Sequence, residues 1–411
     1  MIQNTDEDAG TRLRAVTGMP GILLMAVMLS GPPLMALVFS TIAPILPSIA
    51  AHFRSESGGT MLAQWIMTTP AIGLMLGGPL GGLLIDRIGV RRLLIWAFLL
   101  FAIGGSAGLY VESPWLLLLS RFVLGFSGAC VATGATWLIG ARFDEQARHK
   151  LIGAQDAIAG LSAMSAVLLA GWVAASGGWR APFAIYLLAL PLFFCALFVV
   201  PAIEAAAKRN GRAAAVDASG GGRALLPLWP LYVGIVCIAG LMMMPSTQVP
   251  FVMAANGTED PIIRSRVIAS SAMMAIVGSA LFPFVRRWLG ERGTLVLILL
   301  FYAAGTATIG LSRDALGTAL GCAFLGSGTG LFMPHFASAI IARTEPLVRG
   351  RALGLMLGAV FLSEFLSPLV ILPLRHFFGV HGGFMVLAPA LIVAAVAVLL
   401  RGWTGRRKSV A

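Results

Sequence analysis

Long apolar segments separated by short polar ones follow one another along almost the whole chain. After the polar opening MIQNTDEDAGTRLR, twelve such segments can be counted. Each is long enough to cross a bilayer core of about 30 Å as a helix, which rises about 1.5 Å per residue. They cover about residues 19–48, 61–85, 92–110, 114–140, 150–174, 181–203, 224–250, 267–285, 293–312, 315–341, 350–374 and 382–402. The pattern predicts an all-α integral membrane protein with twelve transmembrane helices.

Composition agrees with that prediction. The 411 residues are 58% hydrophobic and 11% charged, and the mean hydropathy is +0.90. The polar segment between the sixth and seventh spans predicts a cytoplasmic linker over 204–223. It divides an N-terminal six-helix bundle, 1–203, from a C-terminal six-helix bundle, 224–411.

Matching residues recur at a constant separation of 201 positions. The pairs are Pro44/Pro245, Gly89/Gly290, Arg91/Arg292, Gly125/Gly326, Arg142/Arg343, Arg148/Arg349, Gly153/Gly354 and Phe183/Phe384. The two bundles are therefore predicted to be pseudo-symmetric. Because six spans is an even number, both would have the same orientation, and transporters built this way hold substrate near the midplane between the halves.

The distribution of positive charge predicts the orientation. Of the 29 Lys and Arg residues, 22 lie in segments assigned to the cytoplasm and six in outer loops, while Arg121 alone lies within a span. The net charge of +12 is thus a topological signal rather than one for nucleic acid. We expect a multi-pass protein of a bacterial-type inner (plasma) membrane, with both termini cytoplasmic.

Four charged residues lie between the second and third spans, in GGLLIDRIGVRR, residues 81–92. The residues that carry its pattern are Gly82, Asp86, Arg87, Gly89, Arg91 and Arg92. This pattern resembles the signature loop of the major facilitator superfamily, which in that family lies beside the eleventh helix, here beginning near 349–352. The resemblance implies a cytoplasmic gate in which Asp86 attracts a nearby Arg and the positive end of that helix. A stop signal of positive residues is the alternative, although it leaves Asp86 unexplained.

The second half carries a copy of this loop, PFVRRWLGER, residues 283–292. Arg287 stands there at the position of Asp86. Without that acidic residue, the second loop is expected to have a weaker gating role.

The fourth span contains RFVLGFSGA, residues 121–129. It resembles the family's fourth-helix pattern of an Arg followed four residues later by Gly. In that pattern the arginine faces the central cavity and is linked to proton coupling, which implies both roles for Arg121. An Arg that snorkels to the outer headgroups is the alternative.

Three further ionisable residues fall within predicted spans, namely Asp156, His335 and Glu364. Such residues are costly in a membrane and mark candidate sites. We hypothesise that Glu364 is the protonatable carboxylate that exchanges a proton for substrate, with Arg121 and Asp156 as further proton-coupling residues. The alternative is a permanently protonated or hydrogen-bonded Glu364 that fixes helix packing.

The seventh span ends in MMMPSTQVPF, residues 242–251, where Pro245 and Pro250 are predicted to break the helix. Pro44 and Pro47 occupy similar places in the first span. Broken helices are tolerated at membrane depth where the freed carbonyls are buried or line a wet cavity. The predicted substrate cavity therefore contains Gln248 and Pro245, together with His335 and Arg121.

Two glycine-rich stretches, 77–82 and 326–330, look like phosphate loops but follow no strand and lack the Lys-Ser/Thr ending. They favour close helix packing, as do Gly73/Gly77 and Gly104/Gly108. The four cysteines lie in spans, and no metal-ligand spacing or catalytic triad is readable. No cofactor, metal site or enzymatic activity is predicted.

The resemblance to the major facilitator superfamily covers nearly the whole chain, closest to bacterial drug/proton antiporter-like members. It implies a monomeric transporter that exchanges a small solute for protons across the bilayer by alternating access, with the first, fourth, seventh and tenth spans lining the cavity. The Met-rich seventh span favours a hydrophobic or amphiphilic solute and efflux. The alternatives are a proton symporter or facilitator importing a metabolite, and a transporter-shaped sensor or assembly partner without flux.

Overall fold

The computed structural model describes residues 19–53, 59–200, 226–345 and 348–407. The predicted linker, 204–223, lies outside the described residues. Within the described ranges all regular secondary structure is helical. The all-α prediction is therefore confirmed.

The α-helices are numbered here in chain order. They are α1 (Met19–Leu29), α2 (Gly31–Ser40), α3 (Leu46–His52), α4 (Gly59–Ile88), α5 (Val90–Ser106), α6 (Pro114–Arg142), α7 (Glu145–Gly177), α8 (Ala189–Val199), α9 (Trp229–Met242), α10 (Met244–Thr247), α11 (Val249–Ala255), α12 (Pro261–Leu311), α13 (Ala315–Ile341) and α14 (Arg349–Arg407). Within the described ranges, four 3₁₀ helices accompany them: Ala43–Ile45, Ala107–Leu109, Ala181–Leu188 and Leu226–Leu228.

Among the described residues, nine helical stretches are long and apolar enough to cross a membrane. Two of these, Pro261–Leu311 and Arg349–Leu400, are 51 and 52 residues long. Each contains one glycine with a positive φ, Gly290 at 65° and Gly379 at 73°, where the helix is interrupted. Since only glycine adopts this conformation readily, each glycine separates two shorter helices. With the broken seventh span, the pattern is consistent with twelve spans.

Prolines interrupt the first and seventh spans as predicted. In the seventh span, α9 ends at Met242, and Pro245 and Pro250 stand in the first turns of α10 and α11. In the first span, Pro44 lies in the Ala43–Ile45 3₁₀ helix and Pro47 in the first turn of α3. A proline lacks the N–H that a helix interior requires, but the first turn leaves that group unbonded in any case. Each proline therefore begins a new helical segment.

The chain forms two compact units. Unit 1 contains residues 1–38, 73–162 and 183–216, and unit 2 contains residues 39–72, 163–182 and 217–411. The division into a bundle of residues 1–203 and a bundle of residues 224–411 stays a prediction.

Close contact between helix backbones is a feature of both units. In unit 1, a Cβ atom at Gly73 or Gly77 of α4 would overlap the backbone of α6 at Phe122 or Phe126. In unit 2, a Cβ atom at Gly326 of α13 would overlap the Ser271 carbonyl of α12. Small residues let membrane helices approach this closely, and the resulting van der Waals packing drives association where the hydrophobic effect cannot, because lipid tails are as apolar as the helix surface. The prediction that these glycines serve helix packing is confirmed.

Gly326→Ala is expected to destabilise the protein by about 1–3 kcal/mol, because the added methyl group meets backbone atoms that cannot rotate away. Gly354→Ala is the matched control, since a Cβ there has no atom within 4 Å and alanine favours helix by up to about 1 kcal/mol. Unfolding of the purified variants in detergent measures both effects. Equal stabilities for the two variants would contradict the packing argument.

Candidate functional site

The predicted gate loop joins α4 to α5 in unit 1. Gly89, with φ of 84°, ends α4 by donating its N–H to the Ile85 carbonyl at 2.9 Å, and α5 begins at the next residue. Asp86 and Arg87 are exposed, as is Arg92. The loop thus presents charge at the surface on a turn that requires glycine. Its role as a gate stays a prediction.

Arg91 differs from the other charged residues of this loop because it faces into unit 1. Its guanidinium donates a hydrogen bond of 3.3 Å to the Leu197 carbonyl in α8. A cation near the last carbonyls of a helix is stabilised by the helix dipole. Arg91 therefore ties the loop to the end of the sixth span. Gly82, in contrast, faces open space, since a Cβ atom added there would have no atom within 4 Å.

Arg121 is completely buried within unit 1, at 0% exposure. Its Nη2 donates hydrogen bonds to the carbonyls of Gly104 and Gly105 at 2.6 and 2.7 Å. The guanidinium carbon lies 5.0 Å from the centre of the Phe183 ring and 5.3 Å from that of Tyr186, which adds cation–π attraction. Arg121 therefore does not snorkel to the headgroups, and its side chain is held by the third and sixth spans.

Glycines make room for the two rings that cover Arg121. A Cβ at Gly105 would overlap the Tyr186 ring, and one at Gly108 would overlap Phe183. The Tyr186 hydroxyl donates to the Val38 carbonyl at 3.1 Å, which fixes its ring. The prediction of helix packing is confirmed for Gly104, where a Cβ would lie 3.0 Å from the Ser120 carbonyl of α6, whereas Gly108 makes room for the Phe183 ring, which the prediction missed.

Asp156 is exposed, whereas the adjacent Gln155 is only 1% exposed. The Gln155 amide donates a hydrogen bond of 2.6 Å to the Met28 carbonyl of α1. Because neighbouring helical residues point in different directions, Gln155 faces the interior of unit 1 and Asp156 does not. Sequence reasoning singled out the charged residue and missed the neutral one that packs the helix.

Glu364 lies in α14 and is 1% exposed. Both of its carboxylate oxygens are buried without a hydrogen-bond partner in the described part of the chain. Among the described residues the side chain makes no hydrogen bond that ties helices together, which was one form of the alternative to a proton site. The other form, a permanently protonated Glu364 that fixes packing, stays open.

Polar groups next to Glu364 in the helix also lack hydrogen-bond partners among the described residues. Pro368, four residues on, has no N–H to donate to the Glu364 backbone carbonyl, and the Ser367 hydroxyl is also buried and unpartnered. Ser363 does bond, donating to the Val236 carbonyl of α9 at 2.6 Å. The SEFLSP stretch, 363–368, thus combines one bond to the seventh span with a group of unsatisfied polar atoms. The proline four residues after an acid is the sequence signal that prediction overlooked.

Gln248 stands at the break between α10 and α11 and is 2% exposed. Its Oε1 accepts two hydrogen bonds, from Gln64 Nε2 at 3.2 Å and from Arg375 Nη1 at 3.3 Å. The Arg375 guanidinium also lies 4.7 Å from the centre of the Phe251 ring. These four residues form a polar cluster within unit 2, called here the glutamine–arginine cluster. Sequence reasoning found Gln248 but not Gln64 or Arg375, which are distant in the chain.

Pro245, also predicted for the cavity, is buried in the first turn of α10. The helix break that it begins places Gln248 at the junction with α11. Pro245 thus shapes the backbone at this break, and its place in the substrate cavity stays a prediction.

His335 is 2% exposed, and its ring meets Phe336 edge-on at 5.1 Å. It is close enough to interact with the charges of Arg286, Glu291 and Arg343. His335 and the glutamine–arginine cluster share no hydrogen bond among the described residues. Its place in the substrate cavity stays a prediction.

Those three charged residues form ion pairs at the second loop. Glu291 pairs with Arg343 at 2.7 Å and with Arg286 at 3.3 Å. The second loop thus has an acidic partner that the repeat did not point to, four residues after Arg287, while its weaker gating role stays a prediction. With side chains 25–45% exposed, these pairs contribute at most about 1 kcal/mol each, so they position the helix ends more than they stabilise the fold.

The chain is similar in sequence to several proteins named as transporters or resistance proteins. The chain is 27% identical over 408 residues to the puromycin resistance protein pur8 of Streptomyces alboniger, covering 91% of this chain and 75% of that protein. It is 31% identical over 131 residues to a putative niacin/nicotinamide transporter of Bacillus subtilis, and 28% identical over 167 residues to the arabinose-proton symporter of Escherichia coli. These last two matches span 32% and 41% of this chain and about a third of each relative.

Solved structures share the fold at low sequence identity. The D-xylose-proton symporter structure superposes with a TM-score of 0.71 at 17% identity, covering 92% of this chain and 97% of that one. The nucleoside transporter NupG structure gives 0.73 at 12% identity, covering 91% and 99%. The family model described as Major Facilitator Superfamily matches residues 34–368. With its helical fold and its loop motifs, this chain belongs to the major facilitator superfamily of membrane transporters.

Proposed function

We propose that this transporter exports a small hydrophobic or amphiphilic organic solute in exchange for protons, by alternating access between its two halves. Glu364 is the proposed site of protonation. The observation that carries the proposal is a carboxyl group at 1% exposure, both of whose oxygens lack a partner among the described residues.

The energetics of an unpaired carboxyl favour a switching role. An ionised carboxylate without partners costs several kcal/mol in an apolar interior, so burial of this kind favours the neutral form of Glu364. It becomes ionised when water or a cation reaches it, because the charge is then solvated. A group whose charge follows its access to water links proton binding to the conformational cycle.

Arg121 has a different proposed part in coupling. A guanidinium keeps its charge in proteins, so Arg121 is not itself a proton carrier. Its fixed positive charge, held by the Gly104 and Gly105 carbonyls, supplies a constant field. Asp156, exposed on the fifth span, is the proposed secondary proton site in unit 1.

The solute class is inferred from the seventh span. Met242 and Met243 are half-buried beside the break that precedes Gln248. Methionine surfaces adapt to varied apolar shapes. The names of the puromycin resistance protein and of a multidrug resistance protein B homolog of Mycobacterium tuberculosis, 30% identical over 191 residues, agree with export of such solutes. The arabinose-proton symporter supports the second candidate, proton-driven import.

Glu364→Gln is expected to abolish proton-driven accumulation of solute in inverted membrane vesicles, because glutamine is neutral at every pH. A panel of toxic amphiphiles that includes puromycin identifies a transported probe by the resistance that overexpression confers. Accumulation of that probe in acidified inverted vesicles is then measured. Glu345→Gln, the same change at an exposed loop position, should leave transport intact.

Two outcomes would count against the proposal. Full proton-driven transport by Glu364→Gln would remove Glu364 from coupling. Accumulation in right-side-out vesicles with an inward proton gradient, and none in inverted ones, would favour import.

Asp86→Asn tests the gate. A hydrogen bond to a charged group contributes about 1.5–3 kcal/mol, so its loss is expected to shift the gate's closed-to-open ratio by roughly tenfold or more and slow transport accordingly. Asp144→Asn is the control, because asparagine can still accept the bond that the Asp144 carboxylate takes from the Ala147 N–H at 2.9 Å. The test compares the initial transport rates of the two variants at equal expression. Equal rates would contradict the gate and leave the loop with only its role in setting membrane topology.

The orientation is tested by labelling single cysteines in an otherwise cysteine-free chain. Asn210→Cys, in the predicted cytoplasmic linker, should react with a membrane-impermeant maleimide only after permeabilisation. Glu259→Cys, before the eighth span, should react in intact cells. The reverse pattern would invert the proposed topology.

A further inference from the structure

The glutamine–arginine cluster of unit 2 contains a cation, Arg375, that has no acidic partner in the part of the chain that the structure describes. Among the described residues, Arg375 contacts the neutral Gln248 amide oxygen and the face of Phe251, and it forms no ion pair. A role as helix-end cation explains a positive charge near the end of the eleventh span. It does not explain why the guanidinium points to the break in the seventh span.

The hydrogen bonds of this cluster leave donors in excess. Gln248 Oε1 accepts from both Gln64 and Arg375, which uses both of its lone pairs. Within the described part of the chain, Gln248 Nε2 is buried without an acceptor and Gln64 Oε1 is buried without a donor. Reversing either amide would bring like atoms together, so the bonding pattern defines the orientation of both. Donors therefore outnumber acceptors in the cluster, whose one unused amide acceptor is Gln64 Oε1, and the cluster carries one positive charge.

We propose that the glutamine–arginine cluster binds the carboxylate group of the transported solute. A carboxylate has two oxygens with about four acceptor positions and no donor, so it can take bonds from Arg375 and from Gln248 Nε2 together. It also neutralises the unpaired cation. An ammonium group would add donors and repel Arg375.

The remaining atoms of the cluster define the rest of the ligand. Phe251 offers an aromatic face beside the guanidinium, which suits an apolar or aromatic body attached to the carboxylate. Gln64 Oε1 can accept from a hydroxyl or amino group on that body. The solute class is thus narrowed from any amphiphile to small organic monocarboxylates. This inference rests on the proposed export function for its direction, but binding itself does not require it.

The test compares probes that differ only in charge. Benzoate and its neutral isostere benzamide, and octanoate with octanamide, are titrated against the purified full-length protein while its thermal unfolding is followed. The acids should raise the unfolding temperature and the amides should not. Arg375→Gln should weaken benzoate binding by about 10- to 100-fold, and Arg375→Lys by less, since lysine keeps the charge but loses the planar fork. Arg313→Gln, at an exposed outer-loop arginine, should bind as the unchanged protein does.

Either of two results would overturn the proposal. One is the absence of any preference for the acid in both probe pairs, including no response to any of the four compounds. The other is unchanged benzoate binding by Arg375→Gln. Failure of the export function gives a different result, in which carboxylate binding persists while Glu364→Gln transports normally.

Discussion

The structure depends on one constraint, the cost of a polar group that has no partner away from water. In a bilayer every backbone amide must bond within its own segment, so the chain forms helices, and each break must be compensated. The same cost applies to side chains. Where unit 1 buries Arg121 and Gln155, it supplies backbone carbonyls to both.

In unit 2, several buried polar groups have no hydrogen-bond partner among the described residues. Glu364 receives no hydrogen bond among the described residues, and one amide atom each of Gln64 and Gln248 is unpartnered there. The Nη2 atom of Arg121 is fixed by its two hydrogen bonds, and changing its surroundings requires breaking them. A buried polar atom without a partner gains free energy when water, a proton or a ligand arrives. Within the described residues unit 1 has two such atoms, Arg91 Nε and Arg121 Nη1, and unit 2 has more, among which lie the proposed proton and ligand sites.

The sequence predicted what depends on local pattern. Apolar length located the spans, Gly89 located the turn after the second span, and the prolines located the breaks at 243 and 248, because each of these signals acts on its own residue or its neighbours. The sequence alone could not predict contacts between segments that are distant in the chain. Gln64 and Gln248 are 184 residues apart, and neither Arg375 nor the Phe183–Tyr186 cover of Arg121 has a local signal. The acidic partner in the second loop was missed for a related reason, since strict alignment of the repeat pointed to Arg287 while the bonding geometry uses Glu291.

The candidate chemistry lies where the internal repeat is broken. Displacing each polar residue by the repeat of 201 positions gives an apolar or small residue in the other half. Arg121 corresponds to Cys322, Gln248 to Pro47, Glu364 to Ala163 and Arg375 to Ala174. The glycines of the turns and helix contacts, such as Gly89/Gly290 and Gly125/Gly326, are in contrast retained in both halves. The residues retained in both halves are those that shape turns and helix contacts, whereas the proposed proton site and the proposed ligand site each use side chains that only one copy of the repeat carries. Duplication thus accounts for the helical frame, and the departures from it account for the proposed chemistry.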